Sequence, residues 1–201
     1  MKVFFVNDRL AFGGAVKTWR QVEKLGALGI THIVNLRWSQ NNAKVRQFPH
    51  IWLRFHDDKK TRPAWFYRRA LKFCQRAMCK PDSKLFVMCH HGLCRSPSLA
   101  YFILRASGAN PQGAALRVAG ARRSARIVSN YRDSIERFLS GISVPVLASA
   151  LSISEPYATD IRKGKRLQHP RHWRALARLT AVSPGVANVR KSAPIVLDSG
   201  R

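Results

Sequence analysis

Cys89, Arg95 and Ser96 are the residues around which a reaction could be built. They belong to the run CHHGLCRS, residues 89–96. A thiol that has lost its proton is a strong nucleophile. A guanidinium six positions later can hold two oxygens of a phosphoryl group with its planar fork. The apolar run KLFVMC leads into the stretch and the helix-forming run SPSLAYFILRAS leads out. The loop between them must curl, and Gly92 supplies the backbone freedom for it. The amides of His90, His91, Gly92, Leu93, Cys94 and Arg95 then ring the start of a helix, which is an anion site. The same field favours a thiolate at the bottom of the ring. Ser96 can donate its hydroxyl to the sulfur or to the group leaving it. Together these residues make a nucleophile in an electrostatic cradle for phosphate.

Zinc is the rival reading of the same residues. Cys74, Cys79, Cys89 and Cys94 form a C-x4-C…C-x4-C pattern with His90 and His91 beside it. Structural zinc sites favour two-residue spacings. Cys74 and Cys79 fall on an expected helix and point to different sides, so they read as small hydrophobes and no metal is assigned. Cys94 has two readings: a partner for Cys89 in a reversible disulfide, or a side chain turned away from the pocket. The two histidines line the pocket and add charge when protonated.

The elements that position these residues follow from periodicity. MKVFFVNDRLAFGG reads as two short strands around a turn at Asn7-Asp8. TWRQVEKLGALG puts Trp19, Val22, Leu25 and Leu28 at helical spacing. ITHIVNLR reads as a buried strand, SQNNAKVRQFP as loop, and HIWLRFH as another strand. A helix begins after Pro63 with Phe66, Ala70, Phe73 and Ala77 on one face. Two more amphipathic helices, NPQGAALRVAGARR and NYRDSIERFLS, follow the one that leaves the cysteine loop. Strands and helices alternate through the first 107 residues and helices dominate after that. The expected class is α/β, a central mostly parallel sheet flanked by helices, with a small all-α segment at the C-terminal end.

With these residues in view, CHHGLCRS resembles the phosphate loop of the cysteine-dependent protein tyrosine phosphatases, in particular the dual-specificity branch. That motif is His-Cys, two residues, Gly, two residues, Arg, then Ser or Thr. Cys89, Gly92, Arg95 and Ser96 match it, and Met88 stands where the family has His. That His helps to hold the loop and to favour the thiolate. The stretch RLAFGGAVKTWRQVEKLGALGITHIVNLR and the two later helices also resemble the family, so the likeness covers about residues 1–140. It implies hydrolysis of phosphate monoesters on protein tyrosine, serine or threonine through a phosphocysteine, with no cofactor. It also implies a carboxylic acid about thirty residues before the cysteine. Asp57 and Asp58 lie 32 and 31 positions before Cys89, after an expected strand. Asp57 is taken as the acid and Asp58 as the alternative. A related branch of the superfamily removes 5′ phosphates from RNA and has His-Gly where His91-Gly92 stands here.

The net charge is +26, with 36 Lys and Arg against 10 Asp and Glu. Such a surface attracts phosphorylated substrates and other polyanions, or it reflects an arginine-rich composition with no specific partner. No apolar run approaches a membrane span, and MKVFFV meets NDR too early for a signal peptide, so a cytoplasmic protein is expected. Residues 141–145 read as a linker, 146–183 as helical and 184–201 as a flexible tail. In the helical part, Ser154 caps a helix that carries Glu155 and Pro156 in its first turn. IRKGKR is similar to the end of a lambda-repressor-like recognition helix, with Arg162, Lys163, Lys165 and Arg166 as candidate nucleic-acid contacts. The other reading of this segment is a helical cap with a solvated basic face. A catalytically weak phosphate-loop protein that sits on nucleic acid is the corresponding alternative function.

Overall fold

A computed structural model of the chain describes residues 1–38, 43–140 and 144–162. Its centre is a five-stranded sheet of β1 Val3–Asn7, β2 Leu10–Gly13, β3 Ile30–Asn35, β4 His50–Trp52 and β5 Lys84–Met88. The order across the sheet is β1-β2-β5-β3-β4. β1 runs antiparallel to β2, and every other neighbouring pair is parallel. Helix α1, Trp19–Ala27, connects β2 to β3, and α2, Ala64–Met78, connects β4 to β5. Five more helices follow: α3 Arg95–Ala106, α4 Pro111–Ala121, α5 Ser129–Ser140, α6 Val144–Leu151 and α7 Glu155–Arg162. This is the expected α/β class. None of the described helices is long and apolar enough to cross a membrane.

Side-chain alternation along the strands sorts the core into two layers. Phe86 and Met88 of β5 join Ala11 and Ile33 in the smaller layer, closed by Val22 and Leu25 of α1. Leu85 and Val87 join Leu10, Phe12 and Val34 in the larger layer, closed by the other helices. Every residue of α3 is buried, which suits a helix wrapped on all sides. Its C-terminal half is joined to α5 by an ion pair. Arg105 meets the Glu136 carboxylate with Nε at 2.8 Å and Nη2 at 2.6 Å, and the Tyr101 hydroxyl donates to the same carboxylate at 2.5 Å.

Four expectations change in detail. The loop run 39–49 contains a 3-10 helix, Ala43–Gln47, because Val45 is drawn wholly into the smaller core layer. In HIWLRFH only His50–Trp52 pair as a strand; Leu53 and Phe55 are spent on the core instead. Trp19, placed on the buried face by spacing, is 53% exposed, and only Val22 and Leu25 of α1 are buried. The linker expected at 141–145 is partly helix, as α6 starts at Val144.

Helices α6 and α7 send Ala148, Leu151, Ala158 and Ile161 into the same core layer as α3. Ser154 immediately precedes α7, and its carbonyl accepts the Ala158 amide at 2.9 Å. For the helix-turn-helix reading, Lys163, Lys165 and Arg166, the following helix and the tail at 184–201 lie outside the described residues. Arg162 is the last residue of α7.

The Arg105–Glu136 pair yields a stability prediction. Glu136→Ala leaves a buried, uncompensated guanidinium and should cost about 3 kcal/mol, read as a lowered urea midpoint. Arg105→Met with Glu136→Leu should recover most of that loss. Equal destabilisation by the single and the double variant would count against a role for the ion pair.

Candidate active site

The alternation along β5 decides which way the thiol faces. Residue 88 belongs to the layer under α1, so residue 89 belongs to the layer under α3. Cys89 is 2% exposed, with its Sγ accepting the Gly92 amide at 3.2 Å and lying 3.3 Å from Ser96 Oγ. The Ser96 hydroxyl also lies 3.0 Å from the Gly13 carbonyl. It has one proton for two acceptors, and a charged sulfur is the stronger of them.

The loop after Cys89 is tied down from outside. The Cys89 amide donates to Gly13 O at 3.3 Å, and the Ala15 amide donates to His90 O at 3.1 Å. Arg122 Nη1 donates to His91 O at 3.1 Å and to Gly92 O at 2.8 Å. The Arg126 amide donates to Leu93 O at 2.7 Å. The carbonyls of residues 90–93 are thus all taken up by donors beyond the loop, which leaves its amide side for an anion. Gly92 has φ +70°, and a Cβ there would sit 2.6 Å from the carbonyl carbon of Gly13. Only glycine fits this approach.

Arg95 closes the ring from the first turn of α3. It is 7% exposed, and its Nη1 donates to Phe55 O at 3.0 Å. Its Nη2 is 3.4 Å from Asp57 Oδ2, while its Nε is buried with no hydrogen-bond partner. The Asp57 carboxylate is 51% exposed, so this pair alone contributes little stability. Asp58 is committed elsewhere: it pairs with Arg62 and accepts the Lys60 amide at 3.0 Å. Desolvation opposes its ionisation, but the Lys60 amide and the Arg62 guanidinium outweigh this and hold its carboxyl below the ordinary value. The two neighbouring acids are therefore divided, Asp57 toward Arg95 and Asp58 toward its own loop.

Helix α5 holds that loop. Tyr131 accepts the Lys59 amide at 3.0 Å and donates to His56 O at 3.3 Å. Asn130 Nδ2 donates to Lys59 O at 2.9 Å, and Arg62 lies over the Phe55 ring at 4.6 Å. Sequence reasoning missed Tyr131, Asn130 and Arg122, because each acts across a long chain separation without a local pattern, and it missed Arg62, although its i,i+4 spacing from Asp58 was a local signal. It also missed the role of Gly13, although a glycine pair at a strand end signals close backbone approach.

The remaining expected residues are placed as follows. Met88 is fully buried in the smaller core layer and provides packing at the position of the family's His. His90 and His91 are exposed, with rings 4.3 Å apart. The His90 pKa is lowered by desolvation and then by His91, Arg37, Lys17 and Arg95. Cys94 is half-buried before α3; desolvation first, then the charges of Asp57 and Cys89, raise its pKa. Cys74 is wholly buried and pushed up to about 12 by desolvation, while Cys79 is exposed. These two cysteines do not converge on one site.

No family model matches the chain. Among solved structures it is similar to PTPMT1 in complex with PI(5)P, at 12% identity and TM-score 0.59 over 68% of this chain and 93% of that one. It is similar to the PTP-2 phosphatase of Cydia pomonella, at 19% identity and TM-score 0.59 over 66% of this chain and 87% of that one. It is also similar to the human tyrosine phosphatase-like serine/threonine/tyrosine-interacting protein, at 19% identity and TM-score 0.58 over 68% of this chain and 94% of that one. The fold is that of the dual-specificity and tyrosine phosphatases.

The close approach at Gly92 makes a direct prediction. Gly92→Ala should lower any turnover at Cys89 by at least about 100-fold, since both the φ and the contact with Gly13 have to change. Circular dichroism should show the fold retained. Near-normal turnover in this variant would show that the loop tolerates displacement.

Proposed function

We propose that the protein is a cysteine-dependent phosphomonoesterase that acts on phosphorylated tyrosine, serine or threonine in proteins. The observation that carries this reading is the buried thiol under a loop of outward-tied carbonyls, closed by an arginine whose Nε has no partner. A phosphoryl group set on the loop amides would also meet that Nε. The fold shared with tyrosine and dual-specificity phosphatases supports the phosphatase reading.

The reaction divides into two steps. Cys89 Sγ attacks phosphorus while the bond to the ester oxygen breaks, and Asp57 delivers a proton to that oxygen. The loop amides and Arg95 hold the phosphoryl oxygens as charge shifts onto them. In the second step Asp57 takes a proton from water, the water oxygen attacks phosphorus and the S–P bond breaks. Ser96 donates to the departing sulfur. The resting contact of Arg95 with Asp57 fits this order. A dianionic phosphate is a stronger partner for Arg95 than a half-exposed carboxylate, so substrate frees Asp57 to face the leaving oxygen.

Turnover of para-nitrophenyl phosphate in the presence of EDTA tests the reading. It is expected in the wild-type protein and absent in Cys89→Ser; equal rates in the two would falsify the role of Cys89. Asp57→Asn should lower kcat on a phosphotyrosine peptide by about 10²–10³-fold, and on para-nitrophenyl phosphate by much less, because nitrophenolate leaves without a proton. Asp58→Asn should have a far smaller effect on both. If the two variants behave alike, Asp57 is not the acid.

A further inference from the structure

The acid loop runs straight into a surface of one sign. Residues 59–81 carry eight Lys and Arg and no Asp or Glu. Helix α2 orders part of that charge. Its apolar positions, among them Phe66, Ala70, Leu71 and Cys74, are spent on the larger core layer. Arg69, Lys72 and Arg76 are exposed and follow one another at spacings of three and four, so they form a single ridge. Trp65, four positions before Arg69 and 50% exposed, stands at its head.

Nothing in α2 offsets the ridge. Like charges three and four positions apart repel along a helix, and an acid in the first turn, which the macrodipole would favour, is absent. Among the described residues, none of the three cations is in an ion pair. A merely solvated face is served as well by mixed signs. A row of one sign that the helix itself opposes calls for an anionic partner.

The ridge starts beside Arg95. Phe55 holds Arg95 through its carbonyl at 3.0 Å, its ring centroid is 4.9 Å from that of Phe66, and the Phe66 centroid is 6.2 Å from that of Trp65. Lys59 and Lys60, also exposed, follow Asp57 directly on the acid loop. From Trp65 to Arg76 the helix then advances about 16 Å.

We propose that the ridge of Trp65, Arg69, Lys72 and Arg76 docks an acidic segment of the phosphoprotein substrate, close in its chain to the phosphorylated residue. The proposal rests on the reading of Cys89 as a protein phosphatase nucleophile for its consequence in substrate choice. Ridge residues stand about 5–6 Å apart, and alternate residues of an extended chain about 7 Å apart, so acids at every second position meet successive cations. The long arms of Arg and Lys take up the difference. One helix ridge is narrow and linear, which fits an extended chain better than the plane of a membrane.

Binding and turnover test this separately, on the full chain. A labelled, unphosphorylated peptide of Glu alternating with Ser is titrated with Cys89→Ser and followed by fluorescence anisotropy, with the Gln-for-Glu peptide as blank. The Glu peptide should bind saturably, and at least about tenfold more weakly in Cys89→Ser/Arg69→Gln/Lys72→Gln/Arg76→Gln. Binding should change by less than about threefold in Cys89→Ser/Arg20→Gln/Lys24→Gln/Arg46→Gln, which removes equal charge from the side of the sheet covered by α1. Equal weakening in the two charge variants overturns the proposal, and so does no weakening in the first. Absence of peptide binding to Cys89→Ser also overturns it; mixed phosphatidylcholine and phosphatidylserine vesicles that bind Cys89→Ser but not the ridge variant would then assign the ridge to a membrane. In turnover, a phosphotyrosine peptide with an acidic run on one side should exceed its Gln counterpart in kcat/KM by at least about tenfold, a preference that Arg69→Gln/Lys72→Gln/Arg76→Gln should reduce below about threefold. Turnover of para-nitrophenyl phosphate by that variant should stay within about twofold of wild type, since the small ester does not reach the ridge. A preference absent from the wild type, or surviving in the variant, overturns the docking. A protein that turns over neither ester refutes the catalytic reading, and the anisotropy arm still decides the ridge.

Discussion

The carbonyl of Gly13 is the point on which the site depends. It accepts the Cys89 amide and lies 3.0 Å from the Ser96 hydroxyl, and the backbone around it would clash with any side chain at Gly92. One backbone group at the end of β2 therefore sets the start of the cysteine loop, its turn, and the entry into α3. The parallel pairing of β2 with β5 is what brings that carbonyl there, with Gly13 in register with Met88. Gly13 is itself hemmed in, since a Cβ on it would lie 2.7 Å from the Lys2 carbonyl. The glycines at 13 and 92 are two halves of one contact.

The acid side is built by a different means. Asp57 sits on a segment with no regular structure, between β4 and α2. It is held by side chains of α5 and by the cation over Phe55. α5 is in turn fixed to α3 through the Arg105–Glu136 pair. The proposed nucleophile and acid are thus joined through one helix bundle face, on two supports that share α3. The Arg95 contact with Phe55 O is the direct bridge between them.

Most of the fold was legible from local pattern. The alternation of KLFVM, the helical spacing of Phe66, Ala70 and Ala77, and the run leaving Arg95 each identify an element, because burial repeats with the period of the element. The errors fall where tertiary contacts outweigh period. Trp19 keeps helical spacing with Val22 and Leu25 yet stays exposed. HIWLRFH keeps a strand's composition yet leaves the ladder after three residues, once Leu53 and Phe55 turn to the core. The basic C-terminal run invited a nucleic-acid reading, but in the described part of that segment the apolar residues of α6 and α7 pack into the core.

By itself, the sequence determined which atoms are available for chemistry: a thiol, a glycine, a guanidinium and a hydroxyl at spacings of three, six and seven, with two acids upstream. Those spacings are short enough that a strand, a turn and a helix leave few other arrangements. Tertiary structure alone decided which acid faces the arginine and which residues hold the loop from behind. Each of those outcomes depends on groups brought together from distant parts of the chain. Side-chain periodicity carries information over a few residues, whereas the partners of Gly92, Asp57 and His91 are set by the order of strands in the sheet.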